Sequence, residues 1–335
     1  MPANVRFPAI QVTANGQLLS GVYELEINSN AYLGADRFSF HSTMDGSNTL
    51  IWPALPIEIA ISIGLDGTWY SLISGHADTI EIDPVSRIVC VSGRDATAIL
   101  ISSQTSESFE NLTSSDVAGM LAQRHGLIAS VTPTTTLIGR FYQDGHTRSA
   151  LSQHGRATTE WDVLCWLAQI EGYEVWVAGN VLNFHPPVAL QNGFIISPDL
   201  CISMQLARDM GIGLGIIVEV QSWNSAAQMV ITQQASYGAE PAAGQKMIAL
   251  RPNLSTTEAL SLAQRTVAVA ASHERTLTYE IPADLATMPR ANLTLQGTGT
   301  DFDGEYVIFE VERRYSTRHG FTQQVLARQS AWTNS

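Results

Sequence analysis

At 335 residues the chain has room for two or three domains of roughly 100–150 residues each. Its hydrophobic fraction of 45% is ordinary, but a charged fraction of 15% lies well below the roughly 25% usual in soluble domains. Ser, Thr, Asn, Gln and Gly must therefore cover much of the surface, which suits extensive contact with other chains. The net charge of −13 is spread as ten acids against four bases over residues 1–97, eight against four over 98–195 and thirteen against ten over 196–335, which excludes a role that grips DNA or RNA by replacing phosphate counterions with Lys and Arg.

Along the first hundred residues period-two alternation dominates. "GVYELEINSN", "RFSFHSTM", "PIEIAISIG", "TWYSLISGHADTIEID" and "RIVCVSG" read as strands, separated by Asp-Gly and Asp-Pro turns in "LDGTW" and "IDPVSR". This pattern predicts a compact antiparallel barrel or sandwich over 1–97. Helices follow. "TSSDVAGMLAQRHGL" sets Thr113 three residues before Asp116, "TEWDVLCWLAQIEGY" sets Thr159 before Asp162, and "STTEALSLAQRTVAVAA" sets Ser255 before Glu258, each a capping-box entry to an apolar helical stripe. On the second helix the stripe Val163, Trp166, Leu167 and Ile170 is expected to be buried. "YEVWVAGNVLNFHP" reads as a hairpin turning at Gly179-Asn180. The Thr- and Gly-rich stretch from Ile128 to Thr158 reads as a surface excursion. Strands resume at "GIIVEVQSW" and "AQMVITQQ", and after the third helix at "RTLTYEIPA", "ANLTLQG", "YVIFEVERRYS" and "TQQVLAR". The expected fold class is mainly β (α+β): two antiparallel β-barrel-like domains, 1–97 and 196–335 (the latter with one long helix), around an inserted helix-and-hairpin region, 98–195.

The chemistry-bearing residues form no compact constellation. "DFDGEY" puts Asp301, Asp303 and Glu305 beside Gly304, but the glycine falls two positions too early for an EF-hand loop and "YVIFEVE" continues as a strand, so the expectation is an Asp-Gly turn opening a hairpin. His41, His76, His125, His146, His154, His185, His273 and His319 show neither HxH nor HExxH spacing and mostly fall at predicted turns or helix ends, as solvated or capping residues. "GIGLG" at 211–215 runs into a strand rather than a helix, which removes the phosphate-loop reading and leaves a flexible turn. Cys90, Cys165 and Cys201 lack CxxC spacing and sit in apolar settings, as free thiols in a reducing compartment do. The N-terminus has no secretory pattern and no run of 18 apolar residues occurs, so synthesis in the cytoplasm and no membrane segment are expected. No catalytic, cofactor-binding or metal residue is assigned.

The order of elements carries more than any one motif. A Gly-x-Asp entering a helix after the first barrel (Gly93 to Asp95), a Trp-Asp-x-Leu helix ending in Glu-Gly-Tyr before a hairpin (Trp161 to Tyr173), and an Asp-Gly-x-Tyr-Val-Ile turn and strand (Asp303 to Ile308) follow one another. In this order the chain resembles the late-control-D family of phage baseplate hub proteins and is similar to the N-terminal hub part of type VI secretion spike proteins. The resemblance implies a non-enzymatic structural protein of the virion tail baseplate. It further implies a homotrimer with two barrel domains per chain, giving a pseudo-sixfold ring between a hexameric tail tube or tube-initiator protein and a trimeric spike, with tape measure and baseplate wedge proteins as further partners. The chain ends at Ser335 without a glycine-rich β-helical extension, so a separate spike protein is expected. A second reading, a β-rich carbohydrate-active enzyme or glycan-binding module, draws on seven tryptophans and many carboxylates, with Trp161, Trp166 and Tyr173 as its sugar-stacking face.

Overall fold

The computed structural model describes residues 8–31, 33–44, 55–65, 67–107, 109, 111–135, 137–138, 158–187, 190–224, 228–252 and 254–330. The first strands are β1 (Ala9–Ala14), β2 (Gln17–Leu19), β3 (Val22–Asn30), β4 (Arg37–Thr43), β5 (Glu58–Leu65), β6 (Thr68–Asp83) and β7 (Ile88–Asp95). They pair antiparallel in the order β3-β4-β7-β6-β5-β1-β2. Alternation decides which face is dry: β4 buries Phe38 and Phe40, β3 buries Leu25 and Ile27, and β7 buries Val89 and Val91. With Val12, Ile59 and Ile61 from the far end of the run, these side chains collect in a single core, so the sheet is barrel-like as expected. Each such burial contributes roughly 1.5–3 kcal/mol. Gly93 is needed where β4, β6 and β7 close up, because a Cβ there would lie 2.1 Å from the His76 carbonyl oxygen and 2.4 Å from the Phe38 ring.

The middle of the chain builds a small α/β unit. Its elements are α1 (Thr97–Ser102), β8 (Gln104–Thr105), β9 (Leu112–Thr113), α2 (Ser114–Arg124), β10 (Ile128–Val131), β11 (Leu137–Ile138), β12 (Thr158–Thr159), α3 (Glu160–Glu171), β13 (Glu174–Ala178) and β14 (Val181–His185). Both expected capping boxes are formed: Thr113 with Asp116 on α2 and Thr159 with Asp162 on α3, each side chain satisfying the other's backbone N–H. β13 and β14 form the hairpin expected at Gly179-Asn180, and β10 joins β14 in parallel. The buried side of α3 is Trp161, Val163, Leu164, Leu167 and Ala168. Trp166 and Ile170, expected in that stripe, are only half-buried. The helix is rotated toward Trp161, whose indole N–H donates to the Leu33 carbonyl at 3.1 Å and so faces the first module rather than solvent. Most of the predicted surface excursion lies outside the described residues.

The last part comprises β15 (Leu190–Ile196), β16 (Ser203–Arg208), α4 (Met210–Leu214), β17 (Ile216–Asn224), β18 (Met229–Tyr237), β19 (Gln245–Leu250), α5 (Thr256–Ala271), β20 (Arg275–Pro282), β21 (Ala291–Leu295), β22 (Gly304–Ser316) and β23 (Gly320–Gln329). β16, β20, β23 and β22 pair antiparallel around a second core of Leu277, Tyr279, Leu293, Tyr306, Ile308, Val311 and Val325. β22 is shared. Its first half pairs with β21, and beyond a register shift at Ile308/Glu310 its second half pairs with β3, so both modules belong to one thirteen-stranded sheet. β17, β18 and β19 stand apart as a three-stranded sheet covered on one face by α5, which opens with the expected Ser255–Glu258 capping box. "GIGLG" is not a flexible turn but most of α4. Asp209 supplies its cap, the carboxylate accepting from the Gly211 and Ile212 N–H groups at 2.8 and 3.0 Å.

Candidate interaction surfaces

The same alternation that fills the two cores leaves the other face of the long sheet polar. Residues standing opposite one another there form a row from β16 to β6: Ser203, Glu280, Gln324, Glu312, Asn28, Arg37, Arg94 and His76. The next row runs through Thr322, Arg314, Glu26, Ser39, Ser92 and Thr79. Charges of both signs pair locally, with Arg94 on Asp78 at 2.6 Å and Arg314 on both Glu26 (3.7 Å) and Glu312, and the His41 ring lies 3.3 Å from Glu24. Burial pushes the Glu312 carboxyl up, opposed by Arg314. Among the described residues the face thus mixes acids, bases, amides and hydroxyls, with Arg37, Arg94 and His76 adjoining at one end.

Where the three units meet, side chains from each converge. Arg290, between β20 and β21, donates to the Ala31 carbonyl, approaches Glu174 at 3.5 Å and stacks 4.5 Å above the Trp176 ring. Arg313, 4% exposed on β22, donates to the Thr287 carbonyl. Asp36 accepts from the Asn30 backbone at 3.0 Å, and Asp95, 6% exposed, accepts from both the N–H and hydroxyl of Thr97 at 3.1 Å. The Gly93–Asp95 motif thereby has a physical reading: glycine for close strand approach, aspartate to turn β7 into α1.

The outer face of the β17–β19 sheet has a different character. Glu219 sits at its centre, held below the usual carboxylate range by the ammonium of Lys246, the chain's only lysine, at 2.9 Å, and by Gln221 and Gln234. Ile248 stands opposite it, and Trp223, Val230 and Leu250 share the same face, each of the four more than half exposed.

The carboxylates of "DFDGEY" are taken up separately. Asp303 gathers the Gly297 and Thr298 N–H groups at 3.1 Å and the Thr298 hydroxyl, which holds its carboxyl below the usual range. Asp301 pairs with Arg275 at 2.9 Å, and Glu305 accepts from Thr294 at 2.8 Å. The turn is real but longer than a two-residue Asp-Gly turn, running from Gln296 to Asp303 between β21 and β22. Among the described residues no group of three or more His, Cys, Asp or Glu is placed to hold a metal ion.

Of the histidines, His125 caps α2 as expected and contacts the buried Glu160, and His319 lies in the β22–β23 turn. His41, His76 and His185 instead lie within strands, where alternation sets their facing, and His185 sits between the hydroxyls of Ser130 (3.0 Å) and Thr132 (2.7 Å). His273 lies just beyond α5, where burial and the neighbouring Arg328 push its imidazole below the usual range. His146 and His154 lie outside the described residues. The three cysteines are free and half-buried, and burial pushes their thiols up, Cys165 to about 12. Trp161 is buried in the core of the middle unit while Trp166 and Tyr173 pack half-buried against it, so the three do not share an open stacking face. Sequence reasoning missed Asp36, Arg290 and Arg313, since nothing local marks residues whose partners come from distant segments. Among the described residues no helix is long and apolar enough to cross a membrane.

The sequence matches no protein-family model and no curated protein. The fold does have solved counterparts. A tail protein from Neisseria meningitidis MC58 superposes with a TM-score of 0.71 at 15% identity, covering 97% of each chain. The 43 kDa tail protein of prophage MuSo2 from Shewanella oneidensis gives 0.73 at 14% identity, covering 97% of this chain and 99% of its own. The E. coli c3393 protein, a type VI secretion component described as structurally similar to the T4 tail proteins gp27 and gp5, gives 0.59 at 13% identity over 94% of this chain and 76% of its own. The fold expected from the order of motifs is therefore the fold observed: this chain is built like phage tail proteins and their type VI secretion counterparts.

Proposed function

We propose that the protein is a structural hub of a phage tail or related injection machine, placed in the virion tail baseplate, with no catalytic, cofactor or metal site of its own. The observation that carries this reading is the single sheet joining two barrel-like modules in the fold of tail proteins. Three chains place six such modules around one axis, matching a hexameric tube or tube-initiator above and a trimeric spike below, with tape measure and wedge proteins as neighbours. Closed threefold symmetry terminates the assembly, which an open head-to-tail contact does not. The polar face turns inward and lines the passage, so that cargo meets paired charges and hydroxyls.

Light scattering at high protein concentration, or with the spike added, tests the assembly. The expected mass is three times the 36.3 kDa chain, plus any spike, and electron microscopy of the same sample should show a ring with a central hole. A stable dimer overturns the proposal.

A further inference from the structure

The junction of the three units gathers acids from every part of the chain. Asp36 lies on the loop before β4, Asp95 at the end of β7, Glu174 at the start of β13, and Asp284 on the segment after β20 that faces Arg313. Against these four carboxylates stand Arg290 and Arg313, with Arg94, next to Asp95 on β7, feeling the Asp95 charge while paired with Asp78 at 2.6 Å. Arg290 is engaged by Glu174 and the Ala31 carbonyl, and Arg313 by the carbonyls of Thr287 and Asp284 (3.4 Å). The Asp95 N–H donates to the Asp36 carbonyl at 3.0 Å, which brings the two acids' residues together on adjoining segments. Ala31, Leu33 and Asp36 are each tied to a different segment. Ala31 N–H donates to the Phe309 carbonyl at 2.8 Å, the Leu33 carbonyl accepts from Trp161, and the Asp36 carboxylate accepts from Asn30. That loop therefore touches β22 of the last part and α3 of the middle unit at once.

We propose that this junction is a proton-operated latch: a proton held by the Asp36–Asp95 pair keeps the loop clamped among the three units, and its loss loosens the loop and the entry to α1 while the long sheet stays intact. The physical cause is the cost of a second negative charge beside Asp95, which is 6% exposed. Burial, reinforced by the Asp36 charge, pushes Asp95 up to about 7, and burial also raises Asp36 against the pull of Asn30, Ser29, Arg290 and Arg313. Because the closed joint binds the proton more tightly than the open one, closure is strongest in acid, weakens as pH rises above about 4, and has lost the whole contribution above about 7.

Amide hydrogen exchange of the full chain between pH 5 and 8.5, corrected for intrinsic exchange rates, reads the latch. In the wild type, peptides spanning 30–36 and 95–102 should exchange from an opening equilibrium that rises by up to about tenfold per pH unit below pH 7 and levels off above it. Peptides from β1 and β5 should not follow. D95N removes the titrating charge, and its junction peptides should stay protected across the range. D36N removes the neighbouring charge and should bring the levelling-off to lower pH. A flat wild-type profile, a D95N profile as steep as the wild type, or an equal rise in β1 and β5 overturns the proposal. If D95N does not fold, the wild-type profile and the D36N displacement decide the matter, and an unmoved D36N profile refutes it.

Discussion

Replacing Trp161 by Ala tests how α3 is oriented. The side chain is 4% exposed within the middle core and its N–H bonds the Leu33 carbonyl. Truncating a buried Trp to Ala costs about 3–5 kcal/mol, and the lost hydrogen bond adds about 1 kcal/mol at most, because Leu33 is exposed enough for water to take its place. Trp166→Ala, five residues on and only half-buried, should cost about half as much, and Trp161→Phe about 1–2 kcal/mol. Urea unfolding followed by circular dichroism gives the ranking, with unchanged slopes showing that stability alone has moved. If Trp166→Ala proves as costly as Trp161→Ala, or if Trp161→Ala costs under about 1 kcal/mol, the packing argument fails.

Gly172 ends α3 at φ +72°, and a Cβ there would lie 2.0 Å from an Arg265 nitrogen, so Gly172→Ala should displace the guanidinium from the helix C-terminus and cost about 1–2 kcal/mol, read in the same titration. Thermal melting with calcium and with chelator should coincide. Asp303→Ala should lower the midpoint in both, and since this carboxyl is held below its usual range, its contribution to stability is present near neutrality and fades as pH falls through the acid range. A calcium-dependent rise of several degrees would contradict the turn reading. The isolated protein should show no tight, salt-sensitive binding to duplex DNA in a low-salt gel shift, and finding such binding would count against a passage lined by paired charges.

The features legible in the sequence are those whose cause lies within a few residues. Thr113, Thr159 and Ser255 each find their capping acid three positions on, and Gly179-Asn180 closes its own hairpin, so these elements follow from local chemistry alone. The two cores were visible as alternation, because period two sorts Phe38 from Ser39 whatever strand lies beside them. Pairing partners were not visible. Nothing in "YVIFEVERRYS" says that its second half meets β3, or that β17 to β19 leave the long sheet for α5. The orientation of α3 turned on the contact from Trp161 to Leu33, a partner 128 positions away, and the junction acids escaped notice for the same reason.

The pairing of β22 with β3 also sets an order of events during synthesis. Asn28 and Glu310 meet across a separation of 282 residues, so the β3 edge has no partner until almost the whole chain has been made. At about 5–20 residues per second that interval lasts roughly 15–55 s, long against the microseconds in which a hairpin forms. Throughout it the first module presents an open strand edge carrying Glu24 and Glu26, and like charges on such an edge repel the neighbouring nascent chains that would otherwise add to it. Glu26, which later meets Arg314 across the finished sheet, and Glu24, which comes to stand opposite Ser316, thus guard the edge while it waits.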